Sequence, residues 1–294
     1  MGPETELAGA SPLPSVWVVG CGQMAGAFVT RWLQAGLAPG ALTLIDPVAP
    51  AIVGPAWVPS AEALPAGAPP PDLLFLGIKP QQLASLAPAL GHRLAGAPTL
   101  IVSMLAGVRT SVLGELFPES AVVRIMPNLP VRIGKGVIAL FAPDLPPQSL
   151  AGLEALLAAG GTVVALADER QFDAVTALSG SGPAFLFRFI ETLAGAGESA
   201  GLDAEVAQAL ALQTVVGAAL LAQGAGQPVA TLRQQVTSPQ GTTEAGLDVL
   251  DGDGALSTLL RATVRAAAER SRALALAAEA AADPQGREAV RAAS

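Results

Sequence analysis

The 294-residue chain has one cysteine, one histidine, two lysines and no tyrosine. A lone Cys21 excludes an internal disulfide framework, and its place in a glycine loop makes it a small loop residue rather than a nucleophile. His92, the single histidine, falls in an expected surface helix and is assigned no role. No metal site is expected. Basic residues are scarce: Lys and Arg number 16 against 24 Asp and Glu, and the net charge is −8. With no basic tract, nucleic acid is not an expected partner. Alanine drives the mean hydropathy, but no run of about 20 unbroken apolar residues with spanning flanks occurs, so no membrane role is expected. Residues 1–14 carry Glu4 and Glu6 without a basic cluster. They are expected to form a flexible tail rather than a signal peptide. The length and composition fit a cytoplasmic enzyme of two domains.

What is present is a change of character along the chain. Apolar strand patterns fall at 15–19, 41–46, 73–78, 99–104, 122–126, 137–141 and 162–166. Helical patterns intervene at 24–34, 81–94, 110–116 and 150–159. This alternation predicts a doubly wound, mostly parallel α/β sheet covered on both faces. The Pro/Ala/Gly-rich run 47–71 is poor in helix signals, so a crossover helix is expected to be short or missing there. From Asp168, where Asp168-Glu169-Arg170-Gln171 resembles a capping box, helical periodicity takes over. Alanine-rich helices are expected over 204–223 and 255–282. The expected domains are therefore 15–167, dinucleotide-binding, and 168–294, helical. The helices are too apolar to cover every face alone, so partner helices from a second subunit are the natural cover.

Two segments carry the chemistry. Gly20-Cys21-Gly22-Gln23-Met24-Ala25 lies between a strand and a helix. It matches the dinucleotide turn G-x-G-x-x-G/A: Gly20 for the tight turn, Gly22 for approach to a pyrophosphate, Ala25 for close packing. Far downstream, Ser238-Pro239-Gln240-Gly241 has turn chemistry, and Thr242-Thr243 sits where a helix begins. Unpaired amides at a helix start suit a carboxylate, and two hydroxyls beside them can address the same small molecule. Taken alone, the segment reads equally well as a threonine-capped connector. Loops at strand carboxyl ends add Ile78-Lys79-Pro80, Ala106-Gly107-Val108 and Asn128. Between them and the downstream turn lies Leu178-Ser179-Gly180-Ser181-Gly182-Pro183-Ala184-Phe185. There, small residues allow close approach to a helix or simply break it.

These segments, in this order, resemble the pyrroline-5-carboxylate reductase family over about 15–280. The resemblance rests on 20–25, Ile78-Lys79-Pro80, Ala106-Gly107-Val108, Met126-Pro127-Asn128-Leu129-Pro130, 178–185 and 236–247. It implies a Rossmann domain, an all-α dimerisation domain, a homodimer that can associate further, and NAD(P)H-dependent reduction of 1-pyrroline-5-carboxylate to L-proline. By the same resemblance, Gly20, Gly22, Gln23, Met24, Asp46, Ile78, Lys79, Pro80, Ala106, Gly107 and Asn128 serve the cofactor. Ser238, Gly241, Thr242, Thr243 and Ser181 serve the substrate. Thr243 would face the ring nitrogen, and Ser238 would add a second catalytic hydroxyl.

The chain also departs from the family. Gln240 replaces a usual glycine and predicts a different backbone conformation in the turn. Glu244 places a carboxylate where it would repel an anionic substrate unless paired. Leu129 and 195–198 differ as well. These departures keep two alternatives open: a reductase of another small cyclic imine carboxylate, and a nucleotide-binding homologue without catalysis. Asp46 falls where an acid binds ribose hydroxyls. No arginine lies between Asp46 and Lys79 to pair with a 2′-phosphate, and Ser60 stands where the family often has asparagine. NADH is therefore expected over NADPH, with a cap on the Asp46-Pro47 turn as the competing role for Asp46.

Overall fold

The structure, a computed structural model, describes residues 14–282. The expected tail over 1–14 thus lies almost wholly outside the described residues. Eight strands form one sheet in the order β3-β2-β1-β4-β5-β6-β7-β8. They are β1 (Val16–Val19), β2 (Leu42–Ile45), β3 (Ala56–Val58), β4 (Leu73–Leu76), β5 (Leu100–Ser103), β6 (Val122–Pro127), β7 (Gly136–Phe141) and β8 (Gly161–Ala165). All pairings are parallel except β6 with β7. Helices α1 (Gln23–Gln34), α2 (Leu83–Leu94), α3 (Thr110–Leu116) and α4 (Pro147–Ala158) provide the connections. The run 47–71 holds β3 and a single 3-10 turn (Ala61–Ala63) in place of a crossover helix. Its prolines leave too few amides for a longer helix.

Alternation along the strands explains the two-faced core. Val16, Val18, Leu73 and Phe75 join one buried cluster, whereas Trp17, Val19, Leu74 and Leu76 join the other. Helix α1 seals the first face with Ala25, Phe28, Val29 and Trp32, a spacing of three and four that marks one helical stripe. Phe28, Trp32 and Phe75 stack with ring centroids 5.2–5.6 Å apart. The Trp32 indole N–H also donates to the Leu156 carbonyl at 3.0 Å. Gly36, at φ 96°, ends the helix in a left-handed turn, and the Leu37 N–H reaches back to the Trp32 carbonyl.

The described chain forms two compact units, one running to Gly180 and resuming at Ala268, the other Ser181–Ala267. By contacts, residues 169–180 stay with the sheet. The reason is a set of bonds holding 169–180 to the sheet. Glu169 accepts from the Thr110 amide (2.9 Å), the Thr110 hydroxyl (3.0 Å) and the Arg124 guanidinium (3.0 Å). Arg124 stands 4.3 Å above the Phe172 ring, in α5 (Phe172–Val175). A π-helix (Thr176–Gly180) follows, and the Ser179 carbonyl accepts from the Asn128 amide. Asp168 caps the start of this segment by accepting from the Arg170 N–H, so the expected reciprocal box with Gln171 is replaced by a shorter Asp–amide cap.

The second unit comprises α6 (Gly182–Ser199), α7 (Ala204–Gly224), α8 (Val229–Gln235), α9 (Thr242–Asp251) and the first part of α10 (Ala255–Ala282). Helices α6 and α7 pack on one another, yet Phe187, Phe189, Leu210, Leu212, Leu220 and Leu221 stay exposed. By length and mean hydropathy alone α7 could cross a membrane, although it holds no unbroken apolar run of about 20 residues. Its Glu205, Gln208, Gln213 and Gln223 interrupt the apolar run. An apolar surface of this extent calls for a partner.

The Glu169 network yields a stability prediction. Glu169→Ala leaves the buried Arg124 without its counter-charge, and its Nε already has no acceptor. The substitution is expected to destabilise the first unit by about 3 kcal/mol or more, read as a lower urea midpoint. Glu169→Gln keeps an acceptor for Thr110 and is expected to cost less. Equal midpoints for wild type and Glu169→Ala would show that the network is not stabilising.

Candidate functional site

The carboxyl ends of β1, β2, β4, β5 and β6 lie along one edge, because these strands are parallel. Strand order reverses between β1 and β4, where a crevice for a ligand opens in such sheets. The expected cofactor residues gather on this edge: Gly20, Gly22, Gln23 and Met24 after β1, Asp46 after β2, Ile78, Lys79 and Pro80 after β4, Ala106 and Gly107 after β5, and Asn128 after β6. At the switch point the backbone is tight. Gly20 has φ 82°, and a Cβ on it would lie 2.7–2.9 Å from Ile78 and Gly77. A Cβ on Gly77 would meet the Gly20 carbonyl at 2.5 Å and the Ala25 methyl at 2.7 Å. Gly22, by contrast, faces open space. It is the N-cap of α1, no side chain caps the first-turn amides, and no acidic residue sits in that turn. An uncapped helix start under an open glycine fits a pyrophosphate.

Three of the expected cofactor residues have structural partners of their own. Asp46 accepts from the Cys21 amide (2.8 Å) and the Val48 amide (2.9 Å), so it caps both the glycine turn and the Asp-Pro turn. Asn128 is buried, donates to Ser179 and accepts from the Val137 amide. Gly107, at φ 76°, faces Ala275 of α10, whose Cα would stand 2.7 Å from an added Cβ. A cleft of about 460 Å³ beside Gly107 is lined by Arg124, Glu169, Phe172, Asp173 and Arg272. Its charges answer one another through Arg124–Glu169 and Arg272–Asp173, and of the expected site residues it holds Gly107 alone.

The substrate loop belongs to the second unit. The Gly241 N–H bonds to the Ser238 carbonyl at 3.0 Å, closing a turn directly before α9. A Cβ on Gly241 would fall 2.4 Å from the Ser238 Oγ, so only glycine lets this hydroxyl lie over the helix start. Thr242 and Thr243 form the first turn, and no side chain caps it. Gln240 has φ 59°, the left-handed conformation that glycine adopts freely. The glutamine bears the strain of that conformation. Glu244 explains how. Its carboxylate accepts from the Gln240 amide at 2.6 Å and clamps the strained residue. The same bond turns the carboxylate toward the Gln240 amide. Ser181 stands at the N-cap of α6 and its hydroxyl caps nothing.

The dimerisation domain of pyrroline-5-carboxylate reductases matches residues 169–274. A pyrroline-5-carboxylate reductase of Pseudomonas aeruginosa is 35% identical over 267 residues, spanning 89% of this chain and 97% of that one. The chain belongs to the pyrroline-5-carboxylate reductase family. A Synechocystis reductase of that name is 43% identical over 69% of this chain and 75% of its own length. Among solved structures, a Coxiella burnetii family member superposes with a TM-score of 0.83 at 32% identity, covering 90% of this chain and 99% of that one. A Plasmodium falciparum member with NADP bound gives 0.76 at 27% identity, over 89% and 98%. The fold is thus a Rossmann domain followed by a helical dimerisation domain, as expected.

Within this family fold, sequence reasoning missed Arg124 and Glu169. The available signal was a charged residue inside an otherwise apolar strand, which requires a buried partner. Cys21 is half-buried in its loop. Burial, and then the Asp46 carboxylate beside it, push its thiol from 9.0 up to about 11. A raised folded-state value favours the protonated form. Its contribution to stability is therefore present below about pH 9 and lost as the pH rises through about 11. The expected outcome is slow alkylation of native Cys21 by iodoacetamide at neutral pH, with a rate that rises toward pH 11. An inflection at or below pH 9 in folded protein would contradict the shielding.

Proposed function

We propose that the protein reduces 1-pyrroline-5-carboxylate to L-proline with NAD(P)H. The observation that carries this reading is the loop before α9, where the uncapped amides of Thr242 and Thr243 lie beside the hydroxyls of Ser238 and Thr243. Those amides hold the substrate carboxylate without a lysine or arginine. Gly241 keeps the Ser238 hydroxyl over the helix start, and Ser181 adds a further hydroxyl. The Thr243 hydroxyl faces the ring nitrogen, orients it and passes a proton from water. The glycine turn and the uncapped start of α1 hold the pyrophosphate, with Gln23 and Met24 in its first turn and Ile78, Lys79, Pro80 and Ala106 along the same edge. When bound there, a reduced nicotinamide would supply the hydride that C5 of the imine accepts, the nitrogen taking a proton by way of the Thr243 hydroxyl. The chain supplies positioning and fixed dipoles rather than a strong acid.

The exposed faces of α6 and α7, with the dimerisation-domain match, support a homodimer. We place the activity in the cytoplasm, in keeping with a single cysteine.

The purified protein is expected to oxidise NADH or NADPH on addition of pyrroline-5-carboxylate, and faster than with its six-membered homologue. Folded, nucleotide-binding protein that turns over with neither cofactor would sink the reading. Thr243→Ala is expected to lower kcat/KM by the equivalent of about 1–3 kcal/mol while cofactor affinity holds. Unchanged kcat/KM would remove Thr243 from the ring nitrogen. Light scattering at micromolar concentration should give a dimer or a multiple of it, and a stable active monomer would contradict the proposed assembly.

A further inference from the structure

The turn in front of α9 has two conformations open to it, and one side chain decides between them. The Gly241 N–H bonds to the Ser238 carbonyl, with Pro239 and Gln240 between them. Such a turn closes in two common forms that differ by a flip of the central peptide. In the commoner, type I, the third residue keeps a negative φ. Gln240 has φ 59°, so the turn takes the type II form, which suits glycine at this place and strains a residue with a Cβ. Proline at the second position fits both forms and decides nothing. The Gln240 N–H points at the first turn of α9 and donates to the Glu244 carboxylate at 2.6 Å. A flip to type I would turn that N–H away and break the bond. It would also swing the Pro239 carbonyl oxygen to the side the N–H had faced, where no side chain caps the first turn of α9. An acceptor oxygen there competes with a carboxylate for the same amides. Glu244 therefore opposes a strain-relieving flip that would close an anion site.

We propose that Glu244 is a positioning residue for the substrate carboxylate and acts through Gln240. Its bond keeps the 239–240 peptide turned so that the amides of Thr242 and Thr243 stay free for the carboxylate. This rests on the imine-acid reading above, in which those amides hold the substrate. In the full-length protein, Glu244→Ala is expected to raise KM for pyrroline-5-carboxylate and Kd for L-proline about tenfold, the worth of one charge-assisted hydrogen bond, while kcat and NADH affinity change less than about twofold. Glu244→Gln keeps an acceptor for the amide and stays within about threefold of the wild type. Glycine takes the left-handed backbone without strain, so Glu244→Ala added to Gln240→Gly costs at most about twofold relative to Gln240→Gly alone. A merely structural Glu244 would lower the thermal midpoint without this dependence on residue 240. Wild-type KM in Glu244→Ala overturns the proposal, and so does an equal loss in both backgrounds. Glu244→Gln as impaired as Glu244→Ala also overturns it, since charge rather than the bond would then matter. Backbone hydrogen exchange without ligand reads the clamp apart from turnover, and the Gln240 amide is expected to exchange about tenfold faster in Glu244→Ala. Faster exchange in a protein that reduces no cyclic imine acid keeps the clamp and removes the proposed activity. Imine reduction with unchanged exchange keeps the activity and overturns the clamp.

Discussion

Two backbones meet where β1 and β4 leave the sheet, and the contact between Gly20 and Gly77 fixes their separation. Neither position has room for a Cβ. The Gly20 amide donates to the Ile45 carbonyl and the Gly77 amide to the Val19 carbonyl, so three strand ends are tied together. From that knot the chain enters α1 with the Gly22 side open. The placement of the nucleotide edge follows from it. A methyl group at either glycine would push the turns apart, and the uncapped start of α1 would no longer face the crevice between β1 and β4.

A second set of bonds holds the other half of the edge. Glu169 gathers the start of α3 and the middle of β6, and Asn128 ties the π-helix to the turn between β6 and β7. These are buried polar groups with matched partners, so they specify one arrangement where apolar packing alone would tolerate several. Residues near the expected nicotinamide end are therefore held by hydrogen bonds that cross from 169–180 to the sheet. The substrate loop uses a different device. Gln240 accepts the strain of a left-handed backbone, and Glu244 offsets it through one short bond to the Gln240 amide.

Much of this was legible in the chain. The alternation of short apolar strands with helical stripes predicted the sheet, and strand-turn-helix placement gave Gly20, Gly22 and Ala25 their roles. What periodicity missed has physical causes. Three-residue β3 is too short to show alternation against the prolines around it. The packing of 169–180 on the sheet escaped periodicity because the Glu169, Phe172 and Ser179 contacts are long-range and leave no local pattern.

The sequence by itself determined the elements, the glycine turn and the threonine pair at a helix start. Each depends on local chemistry: periodicity, the room left by a missing Cβ, and amides left free in a first turn. Tertiary structure alone decided which groups were already engaged. Asp46 reads the same in the chain whether it meets a ribose or caps its own turn, and only the folded backbone brings the distant Cys21 amide to its carboxylate. Partner choice among polar groups is a property of distance in space. A linear chain fixes that distance only within about one helical turn.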